Sequence, residues 1–154
     1  MALDALLRPL IDEYRGRAEY KRMAIRYVPS RLAIVTHVPY FQRIVRNLLS
    51  NAIRYSDAGD RILVGCRRAG GLCLAIADTG HGMTEAQTQR AFDAFQRFDP
   101  EGAIPDGFGL GLFSTRSLAD ALGLTVSLRS RHGRGTEFCL SLPATGGAPT
   151  ELTA

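Results

Sequence analysis

The sequence predicts a two-layer α+β sandwich, with one mixed and mostly antiparallel sheet covered on one face by helices. Three observations carry this. Alternating apolar runs come in pairs, segments of helical period separate those pairs, and 154 residues suffice for one core without disulfides or metals. The order reads helix, two strands, helix, two strands, helix, loop, helix, two strands.

From Ala2 to Met23, Leu3, Leu6, Leu7, Leu10 and Ile11 recur at helical spacing before charge takes over. AIRYV (24–28) and RLAIV (31–35) are β-prone runs split by the turn pair Pro29-Ser30. Pro39 then falls in the first turn of a long helical pattern ending near Ser56, where a missing N–H costs nothing. Asp57 to Asp60 is the turn that stops it. RILVGCRR from Arg61 and LCLAIAD from Leu72 alternate on either side of Ala69-Gly70-Gly71, which predicts an antiparallel hairpin. TEAQTQRAFDAF, from Thr84, reads as a helix opened by a capping box through Gln87. FDPEGAIPDG has two prolines, two glycines and no period, so it is a loop. Leu112 to Leu122 resumes helical spacing before Gly123, and LTVSLRS and TEFCLSL then flank the turn RHGRG. On this reading residues 1–23 form an N-terminal helix, 24–143 a folded domain and 144–154 a flexible tail.

Composition narrows the class. Apolar content of 45% and charged content of 22% are those of a soluble globular protein, and no apolar run approaches the roughly 18 residues that span a bilayer. The start lacks the pattern of a secretory signal, so a cytoplasmic location without direct membrane contact is expected. Cys66, Cys73 and Cys139 are odd in number, lack CxxC spacing and sit in strand-like runs, which makes them buried thiols. The net charge is +4, but the basic residues, all but one of them arginine, are spread along the chain, so no nucleic-acid partner is expected.

Four segments carry chemistry. On the helix RIVRNLLSNAIRYS, Asn47, Asn51 and Arg54 fall within about 60° of one another, apart from the stripe of Phe41, Val45, Leu48, Leu49 and Ala52. Amide oxygens can ligate a hard cation such as Mg²⁺ and a guanidinium can pair with phosphate; a solvated face is the alternative. In AIADTGHGM a strand ends at Asp78, and Gly80 and Gly82 let backbone come close to a ligand; a plain turn is the alternative. Gly107, Gly109 and Gly111 lead into a helix whose N-terminus would favour phosphate, or they form a hinge. GRGTEF, taken alone, is a hairpin turn.

In that order, NLLSNAIRYS, DTGHGM, FDAFQRF, GFGLGL and GRGTEF resemble the asparagine, first glycine, phenylalanine, second glycine and third glycine boxes of the ATP-binding domain of sensor histidine kinases. That domain falls within the group that includes type II topoisomerase and Hsp90 ATPases. The match runs from about residue 31 to 143. The resemblance implies a Bergerat-type sandwich holding ATP and Mg²⁺ beneath a lid of roughly residues 98–107. It makes Asn51 the metal ligand, with Asn47 supporting metal and phosphates where the related ATPases carry a water-activating glutamate. Arg54 and Arg97 would approach the phosphates, Tyr55 would flank the nucleotide, and Asp78 would accept from the adenine amino group. Asn47, Arg54 and Arg97 are thus the implied catalytic residues. Gly80, Gly82, Met83, Phe95, Gly107, Gly109, Leu110, Gly111, Leu112 and Thr136 complete the implied ATP contacts, with Phe92 packed beneath the lid.

Two departures from the family pattern stand out. His37 replaces the usual aspartate at the start of the asparagine-box helix, a weaker cap. His37, His81 and His132 do not sit in a phosphoacceptor box, so the acceptor histidine is expected on a dimerisation domain outside this sequence, with a response-regulator receiver domain downstream. A regulatory pseudokinase and an anti-sigma-type serine kinase of the same fold are the rival readings.

Overall fold

The computed structural model describes residues 1–68, 70–93 and 111–143. Phe95, Arg97, the expected lid, Gly107, Gly109, Leu110 and the expected tail lie outside the described residues.

The elements follow as α1 (Leu3–Tyr20), β1 (Ala24–Tyr27), α2 (Val38–Arg54), β2 (Arg61–Arg68), β3 (Leu72–Asp78), α3 (Glu85–Arg90), α4 (Gly111–Ala121), β4 (Val126–Arg131) and β5 (Gly135–Ser141). The sheet has the order β1-β2-β3-β5-β4. β1 runs parallel to β2 and every other pairing is antiparallel, so the predicted class holds.

One alternating set of strand residues faces the helices. Ile62, Val64 and Cys66 stand opposite Asp78, Ile76 and Leu74, which in turn stand opposite Thr136, Phe138 and Leu140. All but the polar pair at the end are buried apolar side chains, packed on Phe41, Ile44, Val45, Leu48, Leu49 and Ala52 of α2.

α1 belongs to this core: Leu3, Leu6, Leu7, Leu10, Ile11, Tyr14 and Ala18 are buried in it. The chain's one lysine, Lys21, follows α1 and donates to the carbonyls of Ile53 and Arg54 at 2.8 and 3.1 Å, placing a cation on the C-terminal end of α2. At the other end His37 is the N-cap, its Nδ1 accepting from the Tyr40 N–H at 3.3 Å.

Two elements differ from expectation. RLAIV is not a sheet strand. It makes an isolated bridge, Ala33 to Ala2, because its backbone pairs with the chain start: Leu3 N–H donates to Leu32 and Ile34 N–H donates to Met1. Leu32 and Ile34 still point into the core, which accounts for the alternation. The helix opened by Thr84 has the predicted capping box, yet it ends at Arg90. Tight turn bonds from Ala91 to Thr88 and from Asp93 to Arg90 replace it, and Phe92 packs edge-on against Phe138.

Candidate functional site

Where the helix-facing side of the sheet turns polar, a cavity of about 300 Å³ opens. That is the lower end of the range for small-molecule sites. Asn51 and Tyr55 enter it from α2, Asp78 from the end of β3, Gly82 and Met83 from the following turn, and Thr136 from β5. Six of the residues singled out on sequence therefore share one cavity. His81, Gln87, His132 and Phe138 also line it and were not singled out as ligands.

The others lie around it. Asn47 is half-buried one turn before Asn51, and its Nδ2 donates to the Gly111 carbonyl at 3.3 Å, which leaves the amide oxygen as its second polar end. It borders a separate depression with Arg43 and Arg46. Arg54 is half-buried with its guanidinium 5.9 Å from the Tyr55 ring centroid. Gly111 is exposed as the first residue of α4, with open space where a Cβ would stand, and Leu112 packs on the core.

The glycines of the turn after β3 serve close packing. A Cβ on Gly80 would strike the Ser56 hydroxyl and the Tyr55 carbonyl. Gly82, at φ +69, presses its open side on the Arg131 carbonyl. The turn is thereby held between the end of α2 and the β4–β5 hairpin, with His81 N–H donating to Tyr55 and Gly133 N–H donating to His81. His81 Nε2 meets Asp57 Oδ2 at 2.7 Å, a second tie to the residues after α2.

Burial pushes the Asp78 carboxyl up to about 6. The N–H groups of Gly80, at 2.9 Å, and of Thr136 pull against that, and nearby Asp60 adds to it. At neutral pH Asp78 is therefore mostly an anion held in a poor solvent for charge, short of donors and suited to an amino group. Ser56 stands beside it. The Ser56 hydroxyl is fully buried and has no hydrogen-bond partner among the described residues, while the Gly80 packing places it next to Asp78. Sequence reading missed Ser56 because a serine closing a helix is the commonest of features; only its burial makes it informative.

Ser130 organises the opposite wall. Its hydroxyl accepts from Met83 N–H at 2.7 Å, donates to the Gly135 carbonyl at 3.0 Å and meets the Thr136 hydroxyl at 2.8 Å. With its single proton used on Gly135, Ser130 takes the Thr136 proton, and the Thr136 oxygen is left as an acceptor on the cavity side. The site thus offers a carboxylate and hydroxyls at one end and two asparagines toward the start of α4. Such a cavity can seat an amino-bearing ring with its polar extension directed along α2.

Residues 36–146 match the family described as histidine kinase-, DNA gyrase B- and HSP90-like ATPase. The chain is 33% identical over 146 residues to the sensor histidine kinase AtsR of Burkholderia thailandensis, covering 90% of this chain and 24% of that protein. It is 32% identical over 137 residues to the sensor histidine kinase CusS of Escherichia coli, covering 88% of this chain and 28% of that protein. The chain thus spans about a quarter of the length of these curated relatives. Among solved structures, a mycobacterial sensor histidine kinase, MprB, superposes with a TM-score of 0.76 at 21% identity, over 94% of this chain and 97% of that one. Full-length ShkA in complex with AMPPNP superposes with a TM-score of 0.78 at 26% identity, over 96% of this chain and 31% of that one. With its Asp78 cavity built on the same sandwich, the chain belongs to the histidine kinase-, DNA gyrase B- and HSP90-like ATPase family and is homologous to the ATP-binding catalytic domains of sensor histidine kinases.

Proposed function

We propose that this chain binds ATP and, as the catalytic domain of a sensor histidine kinase, transfers its γ-phosphoryl group to a histidine on a dimerisation domain outside this sequence. The observation that carries the reading is the convergence of Asn51, Tyr55, Asp78 and Thr136 on one cavity. Asp78 accepts from the adenine amino group, with the Thr136 hydroxyl completing the polar edge and the Ser56 hydroxyl buried behind it. Tyr55 covers the ring.

From there the phosphates run along α2 toward the start of α4. Among the described residues no three His, Cys, Asp or Glu side chains converge, so the donor set on this path is the hard amide oxygens of Asn47 and Asn51. Such oxygens, together with phosphate, suit Mg²⁺. Mg²⁺ held there would neutralise the charge that develops on the transferred group. Asn47 cannot serve as a general base, because an amide has no useful basicity, and this favours transfer over hydrolysis. Arg54, and Arg97 beyond the described residues, supply positive charge toward the terminal phosphate. The phosphorylated histidine would in turn feed a response-regulator receiver domain.

Incubation with γ-labelled ATP, Mg²⁺ and the dimerisation domain tests this. An acid-labile, base-stable phosphoprotein is expected. An acid-stable product, or none although ATP binds, would replace the kinase assignment with a serine kinase or a regulatory module.

A further inference from the structure

The face of the sheet turned away from the helices carries the second alternating set of strand residues. Across its centre lie Gly65, Ala75 and Ala77, all small. Around them stand Arg26, Arg61, Arg67, Arg129 and Arg131, against one carboxylate, Glu137. These five guanidiniums and one carboxylate amount to the formal net charge of the whole sequence, +4, so the rest of the chain sums to zero. Residues scattered over a hundred positions are gathered on one face by the strand order.

Arg67 is already committed. It lies across the small floor to pair with Glu137, and both are about three-quarters buried. Arg129 stands directly opposite Glu137 in the register, yet among the described residues the carboxylate is held by Arg67 and the Cys139 thiol. Arg129 and Arg131 are exposed, and Arg134 projects from the adjoining turn. Together they ring a depression of about 470 Å³ over Ala77, Gly135 and Glu137.

We propose that this open face is a docking surface for an acidic protein segment, which it grips while the nucleotide cavity on the other side of the same strands stays clear. Charge complementarity sets the sign of the partner. Geometry sets its kind. Arg129 and Arg131 are two residues apart on a strand, about 7 Å, which is the spacing of alternate carboxylates on an extended segment. Guanidinium forks pair with carboxylates in two-point fashion. Single-stranded nucleic acid would want aromatic platforms, and the described residues of this face include none. A flat bilayer would touch the rim of the depression and leave its floor unused.

The test is a titration of the isotope-labelled chain with a peptide alternating glutamate and serine, followed by backbone amide shifts. Shifts are expected in β2, β4 and β5, with binding weakened about tenfold in the double variant Arg129→Ala, Arg131→Ala and again on raising salt. ATP affinity should be the same in variant and parent, and a thermal melt confirms that the variant is folded. Absence of shifts at low salt, shifts confined to the helical layer, or equal affinity in the variant would overturn the proposal. Tighter binding to phosphatidylserine vesicles or to duplex DNA than to the peptide would overturn it too.

Discussion

The two faces of the one sheet are made from the same strands and differ only in parity. Even positions of β3 and β5 give the helix-covered face: Leu74, Ile76 and Phe138 bury, and Asp78 and Thr136 end the row at the cavity. Odd positions give Ala75, Ala77, Glu137 and Cys139, the floor and acid of the open face. A slip of one residue would exchange them, sending Asp78 to the arginines and Glu137 into the core. The helix-covered face depends on buried, unforgiving contacts, whereas the open face depends on charge at its rim. Variants should therefore separate the two.

The largest effect is expected at Gly135, the register point. It sits at φ +111, and a Cβ there would strike the Asp78 carbonyl. Gly135→Ala should cost roughly 3 kcal/mol or more in denaturant unfolding, since it combines left-handed strain with a backbone clash. Nucleotide affinity should fall with it. An unchanged unfolding midpoint would mean that the register is held elsewhere.

Asp78→Asn should act on binding alone. Replacing a charge-assisted acceptor that the buried site cannot substitute is expected to weaken ATP about a hundredfold in calorimetry. The Gly80 N–H can still donate to the amide oxygen, and the uncomfortable charge is gone, so the melting temperature should not drop. A variant that binds ATP normally would remove Asp78 from the adenine site; one that melts early would make it a structural residue.

The pH dependence follows with opposite signs for fold and ligand. Asp78 is raised from 3.8 to about 6. Its contribution to stability is therefore largest below 3.8, where it is protonated in both states, and is lost as pH rises toward 6. Recognition of an amino group needs the anion, so adenosine affinity should be flat above about 6 and fall below it, approaching tenfold per pH unit. Adenosine serves because it has no phosphate to titrate. The fall should vanish in Asp78→Asn; if it persists there, another group governs it.

Much of the helix-covered face and its cavity was legible because its signals are local. The asparagine pair and Arg54 are set by helical period, the capping box by four residues, and the hairpins by alternation around turns. The family boxes tied these together. What stayed hidden was set by distant partners. Arg31–Val35 alternates like a strand, but its backbone partner is the chain start, and periodicity does not name partners. Gly82 reads as room for a ligand, while its open side is filled by the Arg131 carbonyl nearly fifty residues on. The arginine face was missed for the same reason: Arg26 and Arg129 share one sheet row only because five strands assemble in a particular order.

The smallest effect is expected where the open face is thinnest, at Arg67. It stands opposite Cys73 in the register, beside the small buried cluster of Cys73, Ala75 and Cys139, and its guanidinium meets Cys139 Sγ at 3.6 Å. Burial, with the adjacent Cys73, pushes the Cys139 thiol up to about 12, so it should react slowly with a disulfide reagent. Arg67→Ala removes this neighbour of the cluster and the partner of Glu137, but Arg129 already stands opposite that carboxylate and can take it over. The net cost should be about 1 kcal/mol, with ATP affinity unchanged. Labelling of Cys73 and Cys139 should quicken on the order of tenfold while Cys66, in the helix-side core, stays protected. Arg67→Met, which keeps an apolar stem in place, should label at nearly the parental rate. If the alanine variant instead loses ATP affinity, the two faces are coupled through β3 and β5, and their separation by parity is not a separation in energy.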